Sequence, residues 1–177
     1  PEADGTTALH WAVHRNDLET VELLIGAGAS VESENRYGVK PLLLAADNGH
    51  VAILRQLLKA GADPNTATPG GEFVIMAAAR NGTPEALSAL IASGAEVNVR
   101  EGWLGQSALM WAAGQNNARA LRVLIGNGAD VHARTVPSTD AGTPRATSRI
   151  VPTRRGAGFT PFLFGVRAGH FESVRTL

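Results

Sequence analysis

In "ALHWAVHRND" His10 and His14 stand four residues apart and Asp17 lies three beyond. On one helix that spacing turns two imidazoles to the same side, where they could chelate a metal. No glutamate follows His10, so the H-E-x-x-H pattern of a zinc hydrolase is missing. Ser107 in "GQSAL" lacks the second glycine of a nucleophile elbow. The stretches "GAGASV" and "GNGADV" resemble pieces of a dinucleotide-binding loop but lack its third glycine. Asn81-Gly82-Thr83 has the form of a glycosylation acceptor. The chain has no cysteine, which excludes disulfides, thiolate zinc sites and cysteine nucleophiles. No catalytic residue, metal or cofactor is expected, so the elements that carry these residues must explain them.

The 177 residues, 44% of them hydrophobic, suffice for one domain with its own core. Sixteen basic residues balance sixteen acidic ones, leaving no net field to draw nucleic acid or an anionic membrane surface. Neither is expected as a partner. No apolar run reaches the roughly 20 residues of a membrane helix, and "PEADGTT" is too polar for a signal peptide. A soluble monomer is expected. The compartment stays open between cytoplasm and a periplasmic or secreted location, because the abrupt start leaves room for a processed leader.

Self-similarity is the strongest signal. Gly28-Ala29, Gly61-Ala62, Gly94-Ala95 and Gly128-Ala129 are separated by 33, 33 and 34 residues. In register with them come "GTTALHWAV" from Gly5, "GVKPLLLAA" from Gly38, "GEFVIMAAA" from Gly71, "GQSALMWAA" from Gly105 and "GFTPFLFGV" from Gly158. After each of the first four, apolar residues recur at i, i+3, i+6 and i+7, as in Leu18, Val21, Leu24 and Ile25 or Val51, Leu54, Leu57 and Leu58. That spacing keeps one stripe of a helix apolar. Each unit therefore reads as a turn, a short helix rich in small residues, a tight loop, a longer amphipathic helix and a glycine stop. Thr83-Pro84 is expected to cap a helix with the threonine side chain and start it with proline. Ala12, Ala45, Ala78 and Ala112 should let neighbouring helices approach closely. A single pair of this size cannot bury its stripe, so the units must stack.

The period, with "TALH", "KPLL", "FTPF", "NGH", "AGH", "GADPN", "GAEVN" and "GADVH", resembles the ankyrin repeat. The resemblance implies an all-α solenoid of stacked helix-turn-helix units, β-hairpin or loop fingers between them, and a concave groove that binds proteins. Units are expected at about 4–37, 38–70, 71–104, 105–134 and 158–177, with an insertion at 135–157. His10 takes the family's histidine position, whereas Met76 and Met110 replace it in two other units, where apolar packing must stand in for its hydrogen bond. The last unit stops at Leu177 within its second helix, and the natural chain is expected to continue.

The resemblance places a binding surface at the variable position of the first helix and at the fingers. That position holds Trp11, Leu44, Ala77, Trp111 and Phe164. Filling space between helices and contacting a partner are equally open for these aromatics. The fingers offer Arg36, Tyr37, Val39, Pro69, Gly70, Glu72, Trp103, Leu104, Gln106 and Phe159, and the ends of the first helices offer His14, Arg15, Asp47, Asn48, Arg80, Asn81, Gly114, Gln115 and Arg167. A protein or peptide partner is the expected ligand and no enzyme activity is expected. Two alternatives are a regulatory or substrate-positioning arm of a larger enzyme whose catalytic domain lies elsewhere, and a small-ligand or metal site around His10, Trp11 and His14.

The insertion raises its own question. From the alanine of a Gly-Ala pair to the next unit's first glycine is 9 residues twice, then 10, then 29 between Ala129 and Gly158. Repeats continue on both sides, so the extra residues form an elaborated fourth finger, and loop closure entropy grows only slowly with length. It carries Arg145, Arg149, Arg154 and Arg155 against one acid, Asp140. These arginines could meet an acidic partner, or the loop could merely be tolerated.

Overall fold

A computed structural model describes residues 2–136 and 158–177. The helices run α1 (Ala8–His14), α2 (Leu18–Gly26), α3 (Pro41–Asp47), α4 (Val51–Lys59), α5 (Val74–Asn81), α6 (Pro84–Ala92), α7 (Ala108–Gly114), α8 (Ala118–Gly126), α9 (Pro161–Ala168) and α10 (Phe171–Thr176). Each odd-numbered helix packs on the next odd one and each even helix on the next even one, giving two helical layers. The insertion arginines Arg145, Arg149, Arg154 and Arg155 lie outside the described residues.

Local chemistry starts and stops the helices. Thr7 and His10 form a reciprocal cap on α1, and Asp17 and Thr160 accept backbone N–H groups at the starts of α2 and α9. Pro41, Pro84 and Pro161 occupy first-turn positions where a missing N–H costs nothing. Thr83, however, makes no side-chain cap on α6, contrary to expectation. Within each pair, the loop turns through one left-handed residue: Asn16, Gly49, Gly82, Asn116 or Gly169, with φ between 56° and 73°. Asparagine tolerates that conformation better than other side-chain-bearing residues, which is why it can alternate with glycine here.

The core repeats with the sequence. Leu9, Leu42, Ile75 and Leu109 are fully buried in the first helices, and Val21, Leu54, Leu87 and Leu121 in the second. Ala12, Ala45, Ala78 and Ala112 are buried between the first helices, as their size suggested. Met76 and Met110 are fully buried in the places where histidine was missing. Ile53, Ala86 and Ala120, also buried, fall outside the i, i+3, i+6, i+7 stripe and widen it. Their counterpart Ser173 is buried too, bonded through Oγ to Asn116 Oδ1 at 3.2 Å.

Two seams of side-chain hydrogen bonds stitch successive pairs together. Along the interhelical loops, His50 Nδ1 donates to Val13 O (2.9 Å), Asn117 Nδ2 to Ala79 O and Arg80 O (3.0 and 2.7 Å), and His170 Nδ1 to Ala113 O (3.2 Å). Thr83 holds the equivalent place in the third pair, and there Asn81, two residues earlier, takes over by donating to Ala46 O and Asp47 O. Along the second-helix turns, Asn65 bridges Gly94 O and Glu96 N, and Asn98 bridges Gly128 O and Asp130 N. Glu32 does the same for the first pair, accepting from Asp63 N (2.9 Å) and pairing with Lys40 Nζ (2.8 Å). Burial alone would raise the Glu32 pKa. The Lys40 ammonium and the Asp63 N–H outweigh it and hold the carboxyl below its ordinary value.

The fingers are turns and carry no sheet among the described residues. Antiparallel pairing is limited to isolated bridges, Ala67 with Phe73 and Arg100 with Ser107. One backbone bond recurs in every finger: Glu2 N to Thr6 O, Asn35 N to Val39 O, Thr68 N to Glu72 O, Glu101 N to Gln106 O, and Thr135 N to Phe159 O. The first three span four residues, the fourth spans five, and the last spans 24. The insertion thus opens inside a finger whose base is still closed, at 3.1 Å. Val136 N also bonds Leu104 O in the preceding finger, at 2.8 Å.

Gly82 tests the loop seam. Its φ is +70°, and a Cβ there would lie 2.5 Å from Asn117 Oδ1, whereas one at Gly49 meets Asn81 Nδ2 at 3.1 Å. Gly82→Ala should cost about 2–3 kcal/mol, from left-handed strain plus loss of the Asn117 bonds, and Gly49→Ala should cost less. Equal falls in denaturation midpoint would refute this account. Glu32 gives a pH test. Because its folded pKa is depressed, its contribution is present above the ordinary carboxylate range and is lost as pH falls through the folded value. The Tm gap between the wild type and Glu32→Gln should therefore narrow on titration from about pH 7 to about pH 3; a gap that stays constant contradicts it.

Candidate functional site

The loop ends of the first helices and the fingers bring the variable residues to one side of the stack. Trp11 is 44% exposed, its Nε1 donates to Glu2 Oε1 at 3.1 Å, and its ring meets His14 edge-on at 6.1 Å. Leu44, Trp111 and Phe164 are half-buried and Ala77 is buried, so the aromatic row is interrupted in the middle.

Arg80 fills the gap that Ala77 leaves. Its guanidinium stacks over the Trp111 ring at 5.1 Å, pairs with Asp47, and lies 2.8 Å from Glu72 Oε1. One cation thereby links the ends of α3 and α5, the finger at 68–72 and the first aromatic of α7. The Glu72 contact is Coulombic. Glu72 Oε1 is buried against the guanidinium, and Trp111 Nε1 is buried without an acceptor.

Two clefts flank this hub. One of about 200 Å3 is lined by Val39, Leu43, Leu44, Asp47, Thr68, Glu72, Ala77 and Arg80. The other, about 300 Å3, is lined by Thr68, Gly70, Glu72, Glu101, Trp103, Leu104, Gln106 and Trp111. They share Thr68 and Glu72 as a common wall. Trp103, 73% exposed, lies across Gly70 of the preceding finger, where a Cβ would come within 3.3 Å of the ring. Glu101 shapes the Trp103 finger: its buried carboxylate accepts the backbone N–H groups of Trp103, Leu104 and Gln106. A carboxylate held by three such donors resists rotation, so the extra residue of this finger presents the indole in one place.

The other candidate residues divide by what their polar atoms already do. Asn81 spends its amide on the preceding pair. Val39 lends its carbonyl to His10 Nε2 at 2.9 Å, and His10 Nδ1 accepts from Thr7. Both His10 nitrogens are thus engaged in the fold, and the His10–His14 pair does not present two open ligands. Arg36 bonds the Tyr37 hydroxyl at 2.9 Å and covers its ring at 5.0 Å. Arg167 lies over Phe159 at 5.7 Å, and Phe159 meets Phe164 edge-on at 6.0 Å. Arg15, Asn48 and Gln115 are exposed at the helix ends. Gly70 and Leu104, finger positions read from the sequence, line the larger cleft, and Thr68 and Glu101 join the clefts without having been singled out in the sequence. The recurrence of position 68 at 35, 101 and 135, as Asn, Thr, Glu and Thr, was the available signal. No group of three or more potential metal ligands gathers among the described residues. No described helix is long and apolar enough to cross a membrane.

The two tryptophans of the larger cleft should separate under mutation. Trp111 packs against the core, so Trp111→Ala should cost about 3 kcal/mol, and exposed Trp103→Ala less than about 1 kcal/mol. Chemical denaturation checks this, and similar losses would remove the distinction between a structural and a presented indole.

Comparison with known proteins agrees with this architecture. The family model for ankyrin repeats (3 copies) matches residues 1–68 and 75–177. The chain is 40% identical over 57 residues to the protein fem-1 homolog A of Bos taurus, a match covering 32% of this chain and 9% of that protein. It is 42% identical over 55 residues to the Notch-regulated ankyrin repeat-containing protein A of Danio rerio, covering 31% of this chain and 49% of that one. Over 50 residues it is 42% identical to the potassium channel AKT1 of Arabidopsis thaliana, covering 28% of this chain and 6% of the channel. The matched segment is thus a small part of the longer relatives. Ankyrin repeats serve in general as protein–protein interaction modules. With stacked helix pairs, left-handed loop residues and a family match across nearly its whole length, this chain belongs to the ankyrin repeat family.

Proposed function

We propose that this chain is a non-catalytic interaction module that binds a protein or peptide segment along the concave side, using the first-helix ends and the finger tips. The observation that carries the reading is the pair of adjoining clefts that share Thr68 and Glu72, bordered by the exposed finger aromatic Trp103. Clefts set side by side along a stack suit an extended segment that places successive side chains in each. Exposed aromatics held by rigid turns lose little entropy on binding, which is why such residues dominate interface energetics. Arg80, Asp47 and Glu72 give the surface both signs of charge, consistent with a peptide partner instead of a polyanion.

Selection of displayed peptides on the immobilised chain, followed by calorimetry on resynthesised binders, tests the reading. Trp103→Ala should weaken binding by about 2 kcal/mol, roughly 30-fold. Leu23→Ala, in α2 on the other layer, should leave affinity unchanged. Equal effects of the two variants would sink the groove assignment.

A further inference from the structure

We infer that Asn48 is a site of spontaneous chemical modification: its side-chain amide converts to a carboxylate through a cyclic imide formed with Gly49. The reaction needs an asparagine followed by a residue whose backbone nitrogen can reach the side-chain carbonyl carbon. Glycine, with no Cβ to obstruct that approach, allows it best. The Gly49 N–H gives up its proton and the nitrogen attacks Asn48 Cγ; a Cγ–N bond forms, the Cγ–Nδ2 bond breaks, and ammonia leaves with the proton. Water then opens the five-membered imide at either carbonyl, leaving aspartate or isoaspartate at position 48.

Three asparagine–glycine pairs occur in the chain: Asn48-Gly49, Asn81-Gly82 and Asn127-Gly128. Their backbones are alike. The glycines are left-handed, with φ of +71°, +70° and +83°, and their N–H groups donate to the carbonyl three residues back, Ala46 O (3.2 Å), Ala79 O (3.2 Å) and Ile125 O (3.0 Å). All three asparagine side chains are exposed, so access of water does not separate them. Their amides do. Asn81 Nδ2 is held by Ala46 O and Asp47 O at 3.3 and 2.8 Å, and Asn127 Nδ2 by Val123 O at 2.7 Å. Among the described residues no hydrogen bond holds the Asn48 side chain. Attack requires the side-chain carbon to swing onto the next nitrogen, and every bond that pins the amide must break first. Asn48 starts without that barrier. Its place in the fold gives the change a consequence. Asn48 ends α3 beside Asp47, which pairs with Arg80, so aspartate there sets a second carboxylate next to the first. Isoaspartate also adds a methylene to the main chain in the loop from which His50 reaches Val13 O, and loosens that tie.

Peptide mapping by mass spectrometry, after incubation of the folded chain in mildly alkaline buffer, tests the inference independently of what the protein binds. Trypsin cleaves after Arg36 and Arg55, Arg80 and Arg100, and Arg122 and Arg134, while Lys40-Pro41 resists it, so the three pairs fall in separate peptides. Conversion at Asn48 should run about fivefold faster than at Asn127, the factor set by one net hydrogen bond, and faster still relative to Asn81, which has two. In a denaturing concentration of urea the three rates should converge, because every amide is then released. Asn48→Gln should remove most of the acidic species that accumulates on ion exchange. Conversion at Asn48 no faster than at Asn81 or Asn127 in the folded chain, or the same order persisting in urea, overturns the inference.

Discussion

The rest of the structure depends on a hydrogen bond thrown backwards from one helix pair to the pair before it. His50, Asn117 and His170 each sit just after a left-handed loop residue and reach the last carbonyls of the preceding first helix. Val13 O, Ala46 O, Ala79 O and Ala113 O each accept one backbone N–H from the left-handed loop residue that follows, and the side chain of the next pair adds a second donor to them. Where the third pair has Thr83 in that place, Asn81 supplies the same bonds from two residues away. The need belongs to the carbonyls, and different side chains answer it. Helices of six to nine residues are marginal alone, so the stack and its ties hold them in shape.

The same economy builds the fingers. Each finger after the first is closed by one backbone bond and a polar side chain at a fixed place, Asn35, Thr68, Glu101 or Thr135. Because closure happens at the base, the tip can vary. It holds Tyr37 in one finger, gains a residue and Trp103 in another, and accommodates the long insertion between Thr135 and Phe159 without loss of the closing bond. Arg80 then couples the tips to the helices, since its charge is divided between Asp47 and Glu72 while its face covers Trp111. The charged cluster ties the tips to the helices, and the Trp103 indole stands exposed beside it.

Much of this was legible in the sequence. The spacing of the Gly-Ala pairs gave the pitch of the stack, and the alanines at 12, 45, 78 and 112 gave the close approach of the first helices. The position of the insertion followed from counting residues between glycines. The buried stripe is wider than the i, i+3, i+6, i+7 spacing, because Ile53, Ala86 and Ala120 at i+2 meet a second neighbour that only the stack supplies. Thr83 was read as a cap from residue type, yet a cap also needs the right side-chain geometry, and it makes none. Asn81, named for the groove, gives its amide to the fold, a commitment that residue type alone does not reveal.

The sequence by itself determined the repeat, its period, the helix order and the finger that carries the insertion. These follow from local rules of turn chemistry and periodicity repeated in register. Only the tertiary structure decided which polar atoms are consumed and which stay unpaired. Arg80 meets Asp47, Glu72 and Trp111 from 33, eight and 31 residues away in the chain. Trp111 Nε1 is left buried without an acceptor by the same packing. Such pairings depend on distances across neighbouring units, and no periodicity along one chain encodes the direction in which a side chain points.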